Sequence, residues 1–196
     1  MDTPTSVHLS RLRVLISILQ SEYFSPRSGT YPSAIDWTST VLATHLINYS
    51  QQTQHHRYFS HFVSFYHGQN VTELINQNYD DMLWVVLTYL RAAAYAAVSE
   101  PEWTVPFLER ATLFYDLARS GWDETSCGGG MIWGRWDRYK NAVTTELFIT
   151  ASVAMYEAIR EQTMLDAAIK AWNWFKNSGM LNEDGLLNDG LDAFCQ

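Results

Sequence analysis

Basic residues are scarce in this 196-residue chain, with 13 Lys and Arg against 21 Asp and Glu. The net charge of -8 and a pI near 5.1 argue against a nucleic-acid groove or an anionic membrane surface, both of which attract Lys/Arg-rich faces. Neutral or cationic partners fit better. Cysteine is nearly absent. Cys127 and Cys195 permit at most one intramolecular disulfide, and two thiols alone do not fix a compartment. The opening Met1-Asp2-Thr3-Pro4 has no basic region and no long apolar run after it, so neither a signal peptide nor a membrane span is expected in the sequence as it stands. Strand-like alternation is also nearly missing, which leaves helix as the repeating element.

What the chain does have is apolar and aromatic mass. Hydrophobic residues make up 47%, enough for one sizeable core, and the chain reads most economically as a single domain, 1–196. Trp, Tyr and Phe number 8, 11 and 9, a supply from which some rings could serve sugar faces while the rest fill the core. Two triplets, Asn48-Tyr49-Ser50 and Asn70-Val71-Thr72, have the N-glycosylation pattern.

Helical spacing predicts helices over 6–21, 34–50, 54–67, 80–98, 103–120, 140–160 and 163–178. Pro101 stops the fourth and Gly179 follows the last. The helices are of two kinds. Phe59, Phe62, Val63 and Tyr66 form one stripe, as do Phe107, Ala111, Phe114 and Ala118, and again Leu165, Ile169 and Trp172. Leu83 to Tyr95 and Glu146 to Tyr156 are instead apolar nearly all round, as helices enclosed on every side should be. This alternation suggests successive αα-hairpins, one helix inward and one outward, as in an α/α toroid. A plain seven-helix bundle has the same periodicity. A half ring, unlike a bundle, would expose the flanks of its inner helices.

Three segments could carry chemistry. In Asn76-Gln77-Asn78-Tyr79-Asp80-Asp81-Met82-Leu83-Trp84, two carboxylates precede a buried helix. Asp is favoured at helix starts, where it accepts backbone N–H bonds and meets the positive dipole end. Glycoside hydrolysis offers the other explanation, because it needs one carboxylate to attack or stabilise C1 and one acid to protonate the leaving oxygen. In Cys127-Gly128-Gly129-Gly130-Met131-Ile132-Trp133, three glycines allow positive φ or close approach of a ligand, or simply a tight connector. It is no phosphate loop, lacking the lysine and the preceding strand. Tyr139-Lys140-Asn141-Ala142-Val143-Thr144-Thr145-Glu146 opens a buried helix with polar groups, among which Thr144 or Thr145 could cap. The spacing of His55, His56, His61 and His67 matches neither a zinc-protease His pair at i, i+4 nor a Cys/His finger, which argues against a metal site.

Taken together, Tyr79-Asp80-Asp81-Met82-Leu83-Trp84, the Cys127 to Trp133 loop, Tyr139-Lys140-Asn141-Ala142 with Glu146-Leu147-Phe148, Trp172-Asn173-Trp174-Phe175-Lys176-Asn177-Ser178-Gly179 and the segment from there to Leu191 resemble glycoside hydrolase family 76 in order and spacing. The resemblance runs from about Ile35 to the end. It implies an all-α chain forming about half of an (α/α)6 barrel, and endo-hydrolysis of α-1,6-mannan with retention. Carried onto this sequence, Asp80 is the nucleophile and Asp81 the general acid/base. Asn78, Tyr79, Trp84, Gly129, Gly130, Trp133, Lys140, Asn141 and Glu146 are the substrate-binding candidates. The same resemblance implies no cofactor or metal, a mannose-containing glycan as partner, an extracellular or cell-surface location, and a Cys127–Cys195 pairing on oxidation. It leaves oligomeric state open. Thr145 stands where the family commonly has Asn, and family members continue through about twice as many helices. A non-catalytic half-barrel that binds glycan, or a gene fragment serving as an interaction module, is therefore the competing expectation.

Overall fold

A computed structural model describes residues 4–34, 36–74 and 78–196. Asn76 and Gln77, the first residues of the carboxylate segment, lie outside the described residues, as does Ile35. The chain divides into two compact units, Met1–Gln69 and Asn70–Gln196.

The first unit contains α1 (Pro4–Ile18), α2 (Asp36–Thr53) and α3 (Phe59–Gly68), with a π-turn over Leu19–Tyr23 continuing α1. Gly29, at φ +66°, and Gly68 let the 25–30 turn lie directly on the end of α3, since a Cβ at either would overlap backbone of the other segment. A polar cluster sits beside that turn. Gln20 donates to the Tyr31 hydroxyl, and its other amide atom pairs with His61 Nδ1, whose ring stacks on Phe24 at 4.4 Å between centroids. Leu12, Leu15 and Ile16 of α1 face Leu42, Leu46 and Tyr49 of α2 across an open apolar groove of about 560 Å³. Of the two glycosylation triplets, Asn48-Tyr49-Ser50 lies inside α2, with Ser50 fully buried and bonded to the Leu46 carbonyl at 2.9 Å. Asn70 is exposed.

The second unit follows a short α4 (Val71–Leu74) with two αα-hairpins: α5 (Tyr79–Ser99) with α6 (Thr104–Ala118), and α7 (Ala142–Ile159) with α8 (Gln162–Asn177). Pro101 opens a single 3-10 turn, Pro101–Trp103, that reverses the chain between α5 and α6. Arg160, in the left-handed region at φ 59°, reverses it after α7. The inner helices α5 and α7 pack against one another, each backed by its outer partner. Residues Phe107, Ala111, Phe114 and Ala118 of α6 are fully buried, as their stripe predicts. The Tyr115 hydroxyl meets Ser152 Oγ of α7 at 2.8 Å and its ring stacks on Phe148, so the polar groups that enter this core arrive paired.

In α8 the predicted stripe is displaced. Ile169 and Trp172 are about half exposed, and the buried row is Met164, Ala168, Ala171 and Phe175. Two alanines in that row let α7 approach closely, and the bulkier side chains are turned to the flank. Inner helix α5 also leaves one open strip, Arg91, Ala94 and Val98, continuous with a groove of about 600 Å³ lined by Leu87, Leu90, Ile149 and Val153. Such an open flank is what a half ring, rather than a closed bundle, produces. By length and composition alone, α5 and α7 could each cross a membrane, but here they are the core helices of the unit.

The expected helix start at 140 is corrected. Lys140 and Asn141 form a two-residue strand, β1, paired antiparallel with β2 (Gly190–Leu191), and the helix begins at Ala142. Asn141, rather than Thr144 or Thr145, is its N-cap, accepting the Thr144 N–H at 3.0 Å.

Candidate functional site

Both carboxylates fall in the first turn of α5, half-buried. Asn78 precedes the helix in extended conformation and makes no side-chain cap. Its Oδ1 is buried without a hydrogen-bond partner. The start of α5 is held from outside instead: the Tyr79 N–H donates to the Trp133 carbonyl at 2.9 Å. Tyr79 itself is buried against Gly121, where a Cβ would meet its ring at 2.8 Å, and the Arg135 guanidinium lies over that ring.

Asp80 is gripped on both oxygens. Oδ1 accepts the Asp81 N–H at 2.9 Å, and Oδ2 accepts the Trp133 indole N–H at 3.1 Å. Burial pushes its pKa up from the ordinary carboxylate range, and the Asp81 and Trp133 N–H donors pull against that rise. Trp84 lies one turn further along the face that carries Asp80 and is half-buried.

The loop that delivers Trp133 is built around a buried cation. Lys140 is 0% exposed, and its Nζ donates to the carbonyls of Asp123 and Ser126 at 2.7 Å each and to that of Gly129. Asp123 Oδ2 completes the cage at 3.2 Å. Burial alone would raise the Asp123 pKa, but hydrogen bonds from Thr125, Lys140 and Ser126 prevail and hold it well below the usual range. Desolvation lowers that of Lys140, with Asp123 opposing. Gly129 and Gly130, at φ +138° and +106°, pass directly beneath the Trp174 indole, whose N–H donates to the Cys127 carbonyl at 2.9 Å. Cys127 is in turn disulfide-bonded to Cys195, and the Tyr139 hydroxyl donates to Asp189 beside β2. The Asp189 carboxylate drives the Tyr139 pKa up to about 12.

Among the sequence-derived candidates, Asn78, Tyr79, Asp80, Asp81 and Trp133 come together directly. Gly129, Gly130 and Lys140 form the adjoining loop interior, and Asn141 serves as a cap. Lys140 thus presents no ammonium to a ligand, because every donor direction is taken up within the loop. Glu146 is exposed on the second turn of α7. Sequence reasoning missed Asp123, although an Asp followed by Thr and Ser two and three residues on has the form of a self-bonded turn. It also missed Trp136, 68% exposed, whose indole edge rests on Gly134.

An all-α unit with core helices backed by outer partners defines a partial α/α toroid, here with a carboxylate pair at the start of an inner helix. The sequence matches glycosyl hydrolase family 76 over residues 14–195, and the chain belongs to that family. Superposition supports the fold. An α-1,6-mannanase of Salegentibacter sp. HEL1_6, solved as an inactive variant with two consecutive aspartates changed to alanine and in complex with α-1,6-mannotetrose, matches with TM-score 0.82 at 21% identity, over 94% of this chain and 55% of that one. Dfg5 of Chaetomium thermophilum, in complex with glucosamine, matches with TM-score 0.81 at 18% identity, over 98% and 53%. A mannan endo-1,6-alpha-mannosidase of Candida albicans is 31% identical over 93 residues, 44% of this chain and 20% of that protein. The chain therefore spans about half the length of these solved relatives, and its matches to curated relatives span between 20% and 26% of theirs.

Proposed function

We propose that the chain carries the catalytic carboxylates of a retaining endo-α-1,6-mannanase, with Asp80 as nucleophile and Asp81 as general acid/base. The observation that carries this reading is the hold on Asp80. Both oxygens accept N–H donors, an arrangement that favours the ionised carboxylate a nucleophile requires, against the burial that disfavours it. Asp80-Asp81 is also the only Asp-Asp dipeptide in the sequence, and a consecutive aspartate pair is what the inactive Salegentibacter variant lacks. In this scheme Asp80 attacks C1 of a mannosyl unit as Asp81 protonates the departing 6-oxygen. Water, deprotonated by Asp81, then releases the mannosyl-enzyme with a second inversion. Exposed Trp136 and half-buried Trp84 supply apolar faces for neighbouring sugar rings. The Cys127–Cys195 bridge suits an oxidising, extracellular or cell-surface setting.

Because the chain spans about half of its solved relatives, the second reading is a glycan-binding module without turnover. Incubation with α-1,6-mannotetraose, with products followed by chromatography and their anomeric form by NMR, separates the two. Cleavage with retention, lost in Asp80→Asn and Asp81→Asn, is the expected result. Binding of the oligosaccharide with no cleavage would replace the enzyme reading with the module, and neither binding nor cleavage would defeat both.

A further inference from the structure

Trp133 was a substrate-binding candidate, yet its polar atom is already engaged inside the protein. Its indole N–H reaches Asp80 Oδ2 at 3.1 Å. Both of its backbone groups are engaged as well: the carbonyl accepts the Tyr79 N–H at 2.9 Å, and the N–H donates to the Tyr139 carbonyl at 2.8 Å. Trp133 is therefore fixed to the start of α5 on one side and to the residue before β1 on the other. The pinned main chain presents the half-buried indole to Asp80 from a fixed backbone position.

We infer that Trp133 is a positioning residue for Asp80, holding the carboxylate ionised and fixed in rotation, and that it is not primarily a sugar platform. The inference rests on the catalytic reading of Asp80 but concerns a different property. The backbone donors to Asp80, the Asp81 amide and its own, belong to the helix itself and are present whatever the loop does. Trp133 is the donor that the loop adds. Asp81 follows Asp80 on α5, and Arg135 of the loop lies over the Tyr79 ring. Burial opposes the ionised form of Asp80, so a donor that favours ionisation has an electrostatic consequence beyond packing. A charge-assisted hydrogen bond is among the stronger polar contacts, and its loss is sufficient to slow attack about ten- to a hundredfold.

The decisive variant removes the N–H and nothing else: 3-benzothienylalanine in place of Trp133, in the full chain, with Trp133→Phe beside it. Two readouts are taken. Carboxyl ¹³C NMR of aspartate-labelled protein, with Asp80 assigned through Asp80→Asn, reports its titration without reference to activity. Steady-state kinetics on α-1,6-mannotetraose report kcat, KM and the acidic limb of the pH profile. The expected result is an upward shift of the Asp80 titration and of the acidic limb, with kcat falling about ten- to a hundredfold and KM within about twofold. An unmoved titration, or a rise in KM with kcat unchanged, would overturn the inference and return Trp133 to the substrate. If the wild-type chain cleaves no mannan while the Asp80 titration still shifts, the catalytic reading fails and the positioning role stands.

Discussion

Lys140 Nζ and Asp123 Oδ2 meet at 3.2 Å inside the glycine-rich loop, with the lysine side chain fully enclosed and the aspartate 14% exposed. Three backbone carbonyls share the same ammonium, which makes this ion pair the centre of the segment between α6 and α7. A lysine so enclosed must be fully satisfied, because an unpaired buried charge costs several kcal/mol.

Lys140→Met is accordingly expected to destabilise the protein by roughly 3–5 kcal/mol, as breaking a buried pair from one side does. Urea denaturation checks this. The pair also sets a pH dependence with a definite sign. The folded pKa of Asp123 lies below its unfolded value near 3.9, so its stabilising contribution is complete above about pH 5 and disappears as pH falls through 4 and below. Stability measured from pH 6 down to 3 should fall more steeply in wild type than in Asp123→Asn.

Gly130→Ala tests the contact beneath Trp174. At φ +106° an alanine is strained whatever the space, and its Cβ would overlap the indole ring. The expected cost is at least about 1–3 kcal/mol, with displacement of Trp174 visible as a change in tryptophan fluorescence. Gly128→Ala is the control, since its Cβ would meet nothing within 4 Å, although its φ of +66° also favours glycine.

Much of this architecture was legible in the sequence, and the parts that were not share a cause. Long periodic segments such as Leu83 to Tyr95 identify themselves because 3.6-residue spacing and burial act on many residues at once. The α8 stripe was misplaced because hydropathy ranks Ile169 and Trp172 above Ala168 and Ala171, whereas close helix approach favours the alanines. Asp80-Asp81 was visible as a helix-start pair, and only the neighbouring motifs pointed to chemistry. The roles of Lys140 and Trp133 were hidden, since both depend on partners 11 to 53 residues away. A cation caged by carbonyls leaves no local pattern, and β1 is too short to alternate.

Removal of the Cys127–Cys195 bridge by Cys195→Ser is expected to lower stability by about 2–4 kcal/mol, as loss of a link across 68 residues should. The β1–β2 pairing and the Tyr139–Asp189 hydrogen bond remain to hold the C-terminal segment. Amide exchange should therefore rise most at 192–196 and less at 190–191. Uniform exposure of β1 and β2 in the variant would show that the disulfide alone retains the segment.

The last prediction returns to Asp80, whose raised pKa gives it a pH signature opposite to that of Asp123. A carboxyl with a higher pKa folded than unfolded binds more protons in the native state between those two values. Its contribution to stability therefore falls as pH rises through that interval and stays low above it. Asp80→Asn cannot ionise. The stability of wild type relative to Asp80→Asn should therefore decline as pH is raised from 4, then level off once Asp80 is ionised in both states. On the proposed nucleophile role, any turnover should drop by at least about a hundredfold at every pH. Thermal unfolding of both proteins across pH 4–8 measures the first effect, and a relative stability that rises with pH over the same range would mean that Asp80 is stabilised, not strained, by its surroundings.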